Sequence, residues 1–134
     1  MAKSVVHVSG KRKSAIARAT LVEGKGSVRI NGQKLDTFGN SLARDRIIEP
    51  LMIAGDFSKK IDISVNVYGG GWQGQAEASR LVVAKGLVEF TGSKKLKQDF
   101  LDYDRHLLVA DVRRKEPRKP NDSKARANRQ KSYR

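Results

Sequence analysis

The segment Gly69-Gly70-Gly71-Trp72-Gln73-Gly74 has the spacing G-x-G-x-x-G. Glycines at a strand-to-helix turn let backbone approach a phosphate and leave the first amide groups of the helix open to it. Glu89 lies about as far downstream as the acidic residue that meets a ribose hydroxyl in a dinucleotide site. That reading fails on two counts. A dinucleotide domain needs repeated βαβ units, and this chain has room for about one. Glu89 also falls inside a helical run and not at the end of a second strand. Two readings of the loop remain: a turn that takes the phosphate of a polynucleotide, or a tight strand-to-helix connection and nothing more.

Lys11-Arg12-Lys13, with Arg18 nearby, is a second candidate. It reads either as a solvated hairpin tip or as a loop that presents charge for phosphate contact. Trp72 is suited to stacking on a base or to plugging the edge of the core. No enzymatic constellation accompanies these residues, since there is neither a nucleophile elbow nor an H-E-x-x-H motif. His106, among Tyr103, Asp104 and Arg105, reads as a helix-end or loop residue, and Asp99, Asp102 and Asp104 as a solvated helix face. With no cysteine and only two histidines, thiol chemistry, disulfides and Cys- or His-rich metal sites are excluded. No metal, cofactor or catalytic residue is expected.

The charge explains more than any motif. The 134 residues carry 28 Lys plus Arg against 14 Asp plus Glu, a net charge of +14. Of that excess, +8 falls on residues 113–134, which hold ten basic and two acidic side chains. Only Ala125, Ala127 and Tyr133 there are hydrophobic, too few to offset a backbone ordering entropy of roughly 1–2 kcal/mol per residue. Residues 113–134 are therefore expected to be a tail, disordered in isolation. A solubility tail is one reading. Basic residues alternating with small ones in Lys124-Ala125-Arg126-Ala127-Asn128-Arg129 suit an arm that threads between phosphates and orders on binding. A polyanionic partner, most simply nucleic acid, follows from the charge. No apolar run approaches the ~20 residues of a membrane span, and no secretory signal is visible, so a soluble, intracellular protein is expected.

The elements that position these residues are legible in outline. Val5, Val6 and Val8, then Ala15 to Val22, then Val28 to Ile30 read as strands. Asn31-Gly32 closes the last of these as a hairpin turn, and the N-terminal third reads as an antiparallel meander. Residues 41–54 read as a helix capped by Asn40 or Ser41. Ile47, Ile48, Leu51 and Met52 share its apolar face, and Pro50 predicts a kink or two short helices. Lys60 to Tyr68 alternates apolar and polar residues as a half-buried strand does. Gln75 to Phe90 reads as a helix packed on most sides, Lys94 to Leu101 as a polar helix, and Leu107 to Val112 as a last strand. The sum is an α+β domain over residues 1–112, a sheet with a helical layer, followed by the tail.

Taken together the motifs resemble a known family. Gly10-Lys11-Arg12-Lys13-Ser14-Ala15-Ile16-Ala17-Arg18 is similar to the opening signature of ribosomal protein nine of the small subunit. Val28 to Gly32, Gly69 to Gly71 with Gly74, Gln75 and Ala78, Lys85-Gly86-Leu87, Lys124-Ala125-Arg126 and the closing Gln130 to Arg134 follow in the family's order. The Ser-Tyr-Arg ending and short N-terminus resemble archaeal members. The resemblance implies a two-layer domain with a left-handed βαβ crossover, similar to the second domain of ribosomal protein five of the small subunit. It implies a structural, non-enzymatic role in translation, bound to the ribosome in the cytoplasm. The partners it implies are the 3′ major domain of the small-subunit ribosomal RNA, neighbouring proteins of the subunit head and peptidyl-site tRNA. Lys11, Arg12, Lys13, Arg18, Gly69, Gly70, Gly71, Gln75, Arg113, Arg114, Lys115, Arg118, Lys119, Lys124, Arg126 and Arg129 would then bind ribosomal RNA. Lys131, Tyr133 and Arg134 would face the tRNA. Prolines and Asn-Asp between Pro117 and Ser123 depart from the family's pattern.

Overall fold

The structure, a computed structural model, describes residues 4–121 and 124–133. Five strands form one sheet: β1 (Val5–Arg12), β2 (Ala15–Glu23), β3 (Val28–Ile30), β4 (Gln33–Lys34) and β5 (Ile61–Tyr68). Three helices accompany them: α1 (Ser41–Ala54), α2 (Trp72–Thr91) and α3 (Lys94–Tyr103). The sheet order is β1-β2-β5-β3-β4, so the fold class is the expected α+β.

β2 and β5 show why these segments are strands. Ala15, Ala17, Ala19 and Leu21 face inward on β2, and Ile61, Ile63, Val65 and Val67 on β5. The residues between them point to the other face, as the pleat requires. The small side chains of β2 let α2 lie close. A Cβ built on Gly86 would stand 2.4 Å from Leu21 Cδ1. α2 rests on β1, β2 and β5, and α1 packs along α2. This double burial is why apolar residues occupy most sides of α2. All three helices gather on one face of the sheet, leaving the other open.

The N-terminal third is not a meander. β1 and β2 form a hairpin, but β5 inserts between β2 and β3. The link after β2 is bent aside because the Asp62 carboxylate accepts the Lys25 and Ser27 amides at 2.9 and 2.8 Å. β3 then pairs parallel with β5, and the chain between these neighbours crosses through α1. Asn31 and Gly32 make the expected turn with φ of 52° and 81°. The Asn31 side chain also prolongs β3, accepting the Val67 amide at 2.9 Å and donating to the Val67 carbonyl at 3.0 Å.

α1 has the expected bounds, and Asn40 caps it by accepting the Ala43 amide at 2.9 Å. Pro50 does not divide it. The ring is buried, and the helix runs on to Ala54. Met52 is 75% exposed, outside the apolar face assigned to it. α2 begins three residues earlier than expected, and Trp72 at its start is 51% exposed, so it plugs nothing. Residues 107–112 form no strand: a single 3₁₀ turn, Arg105–Leu107, is followed by irregular chain. Asp104 starts that turn by accepting the His106 amide at 2.9 Å. Only Leu107 of the segment is buried in the core.

Candidate nucleic-acid interface

The basic tripeptide Lys11-Arg12-Lys13 is not a loop. Lys11 and Arg12 end β1, and only Lys13 and Ser14 turn the chain, Lys13 with φ of 53°. Successive strand residues point to opposite faces, which divides the cluster. Lys11 is exposed on the open face with Arg18. Arg12 points to the helical side, where its Nε donates to Glu77 Oε2 at 2.7 Å and its Nη2 lies 3.4 Å from Asp111. Its side chain is only 12% exposed.

The glycine turn is built against this hairpin. Gly69 and Gly70 have φ of 79° and 64°, in the left-handed region. A Cβ on Gly69 would lie 2.5 Å from the Ser14 carbonyl oxygen. Gly71 is extended and precedes α2 as its cap residue, with no side-chain cap. The first amides of α2 are thus left without a capping side chain. Gln75 folds back on the turn, Nε2 donating to the Gly69 carbonyl at 3.1 Å.

The first tail residues return to the same place. Lys11, Arg12, Lys13, Ser14 and Ile16 line a groove with Arg113, Arg114 and Lys115. Residues a hundred positions apart in sequence thereby form one cationic surface. Asp111 sets the exit of the tail. Arg113 donates to both of its carboxylate oxygens, and the Arg113 amide donates to it as well. These bonds, with Arg12 nearby, hold the Asp111 carboxyl far below the usual carboxylate range.

Beyond Lys115 the described chain is irregular and largely exposed. Arg118, Lys119, Lys124, Lys131 and Tyr133 are exposed and do not line the groove. Arg126 donates from Nε to Glu116 at 2.9–3.0 Å, drawing the tail back on itself. This bond holds Glu116 below its ordinary pKa. Arg134, and Asp122 and Ser123 in the departure from the family's pattern, lie outside the described residues.

Sequence reasoning missed the acidic half of the site. Glu77 takes Arg12 on one oxygen and Arg46 on the other, at 2.7 and 3.0 Å. Arg80 bridges Glu49 and Asp104 at 2.6 and 3.1 Å. Asp104 is therefore not a solvated helix-face residue. Burial opposes its charge, but the His106 amide and Arg80 outweigh that and lower its pKa. No spacing announces these pairs, because each joins different elements. Asp111, two residues before Arg113, was the one local signal.

The family described as ribosomal protein S9/S16 matches residues 10–134. The chain belongs to that family. A small ribosomal subunit protein uS9 of Methanococcus vannielii is 48% identical over 132 residues, covering 97% of this chain and 98% of that protein. Its counterpart in Methanococcus maripaludis is 48% identical over the same span and shares. The archaeal character of the signature is thus borne out, as is the resemblance itself. As a member of the S9/S16 family the chain is a structural ribosomal protein and not an enzyme. The glycine turn accordingly has no turnover to serve. No helix among the described residues is long and apolar enough to cross a membrane.

Proposed function

We propose that this protein anchors in the head of the small ribosomal subunit by neutralising phosphates of the 3′ major domain of the ribosomal RNA. The observation that carries the reading is the groove where Lys11 and Lys13 meet Arg113, Arg114 and Lys115 beside the glycine turn. Arg12 acts there as a positioning residue, since Glu77 and Asp111 occupy its guanidinium. Gly69 to Gly71 supply close backbone approach, and Gln75 braces the turn. Residues 1–112 are the folded anchor, with a left-handed crossover from β3 through α1 to β5. Residues 113–134 are an arm that orders on RNA, with Arg118, Lys119, Lys124, Arg126 and Arg129 pairing with phosphates along its path. The protein works in the cytoplasm on the ribosome, beside other head proteins.

The end of the arm reaches peptidyl-site tRNA through Lys131, Tyr133 and Arg134. An arginine grips a phosphate with two parallel donors, and each such charge-assisted bond is worth about 1.5–3 kcal/mol.

The test of the anchor is the salt dependence of binding to a transcript of the 3′ domain of small-subunit ribosomal RNA. Removing residues 113–134 flattens the log–log slope by about 0.7–0.9 for each phosphate that is no longer neutralised. An unchanged slope would leave the tail as a solubility device. The test of the tip is tRNA release from the peptidyl site of subunits lacking Arg134. Faster release from normally assembled subunits supports the tRNA-facing role, and unchanged release removes it.

A further inference from the structure

Among the described residues, three arginines on the helical side of the sheet are ion-paired, and four cations on its open side are not. On the helical side Arg12, Arg46 and Arg80 are each paired with Glu77, Glu49 or Asp104. On the open side Lys11, Arg18, Arg29 and Lys34 are exposed, and none of the four has an ion pair among the described residues. Asp62, the one carboxylate at an outward position of these strands, is turned to the Lys25 and Ser27 amides.

The register sets the four cations on a diagonal. Lys11 stands opposite Ile16, two residues before Arg18 on β2. Arg18 stands opposite Asn66 on β5, two residues from Ser64, and Ser64 is the neighbour of Arg29 on β3. Lys34 on β4 is opposite Arg29. Lys11 to Arg18 is one strand across and two residues along, about 8 Å between Cα atoms. Arg18 to Arg29 is two strands across and two residues along, about 12 Å, and Arg29 to Lys34 one strand across, about 5 Å, spacings that the phosphates of one extended backbone can follow. The diagonal begins at Lys34 and ends at Lys11, which also lines the groove. Tyr68, 52% exposed and level with Lys11, offers a ring on which a base can stack.

We propose that the open face of the sheet is a second RNA-binding surface, on which one sugar–phosphate backbone crosses diagonally from Lys34 through Arg29 and Arg18 to Lys11 and enters the groove. The inference rests on the RNA-anchoring role proposed above. Charge complementarity selects the occupant: an unneutralised cationic stripe, whose one neighbouring outward carboxylate, Asp62, is held by backbone amides, fits a phosphate backbone, and the flanking Ser64 and Asn66 fit its sugars.

The experiment acetylates lysines of the full-length protein with and without the 3′-domain transcript and reads each site by mass spectrometry. Lys34 is expected to be shielded by the RNA, whereas exposed Lys94, Lys95 and Lys97 on α3 stay reactive. In parallel, the triple variant Arg18→Gln, Arg29→Gln, Lys34→Gln lowers the log–log salt slope by about 2. A control triple, Lys94→Gln, Lys95→Gln, Lys97→Gln, leaves it unchanged. If Lys34 stays reactive while Lys13 and Lys115 are shielded, the open-face proposal is overturned and the groove reading stands. If the open-face triple alone flattens the slope and tail removal does not, the groove reading fails and the open face survives. A triple variant that loses only a polyglutamate peptide, with RNA binding intact, makes the face a protein dock and overturns the proposal.

Discussion

Arg12 and Glu77 stand 65 residues apart in the chain and meet through a 2.7 Å hydrogen bond. The bond ties the end of β1 to the second turn of α2. Arg12 reaches Asp111 as well, so one guanidinium joins sheet, helix and the start of the tail. Glu77→Ala leaves Arg12 and Arg46 without their shared carboxylate. Because Glu77 is 28% exposed and water partly replaces it, the loss is at the modest end of the 1–3 kcal/mol range, about 1–2 kcal/mol. Urea unfolding measures it. An unchanged midpoint would show the bridge to be without energetic weight.

Gly69 and Gly71 predict opposite outcomes for the same substitution. Gly69→Ala forces a side chain into the left-handed region and against the Ser14 carbonyl. It costs about 1–3 kcal/mol and loosens the hairpin tip. Gly71 has ordinary extended backbone and nothing within 4 Å of a built Cβ, so Gly71→Ala changes stability by less than about 0.5 kcal/mol. Thermal unfolding of the two variants distinguishes shape from chemistry in this loop. Equal losses would contradict the argument.

Asp62 makes stability depend on pH. Backbone bonds from Ser27 and Lys25 hold its carboxyl below the ordinary value of 3.8. The unfolded chain takes up the proton first as pH falls. The contribution is therefore complete above about pH 4 and is lost as pH drops through the lower folded value. The stability difference between the protein and Asp62→Asn should be constant near pH 6 and shrink below pH 4. A difference that grows on acidification would reverse the sign.

Asn31→Gly keeps the positive φ and removes both side-chain bonds to Val67. The two bonds together are worth about 1–3 kcal/mol, offset in part by the ease with which glycine adopts this turn. Amide hydrogen exchange at Val67 should quicken more than at Val65, whose carbonyl takes the Asn31 backbone amide. Equal rates in the variant and the parent would mean that water already serves Val67.

Local pattern made much of the domain legible. Alternation in Ile61 to Val67, the cap at Asn40 and the Asn31-Gly32 turn each rest on a few neighbouring residues. Where two local signals conflicted, packing decided. Pro50 stays inside α1 because its ring is buried. Leu107 to Val112 has strand-like composition, yet Leu107 fills the core from a 3₁₀ turn and Val112 is 80% exposed.

The sequence by itself determined the charge and its concentration in residues 113–134, the family signature and the position of the glycine turn. These are properties of residue type and spacing, and they survive without knowledge of which element lies beside which. The tertiary structure alone decided which cations are free. Lys11 and Arg12 are neighbours in sequence, but the pleat sends one to the open face and the other to Glu77 and Asp111. Arg29 and Lys34 read as ordinary hairpin residues until β5 enters the sheet beside β3 and brings them into line with Arg18. Strand order is set by burial over the whole domain, and no local window of sequence contains it.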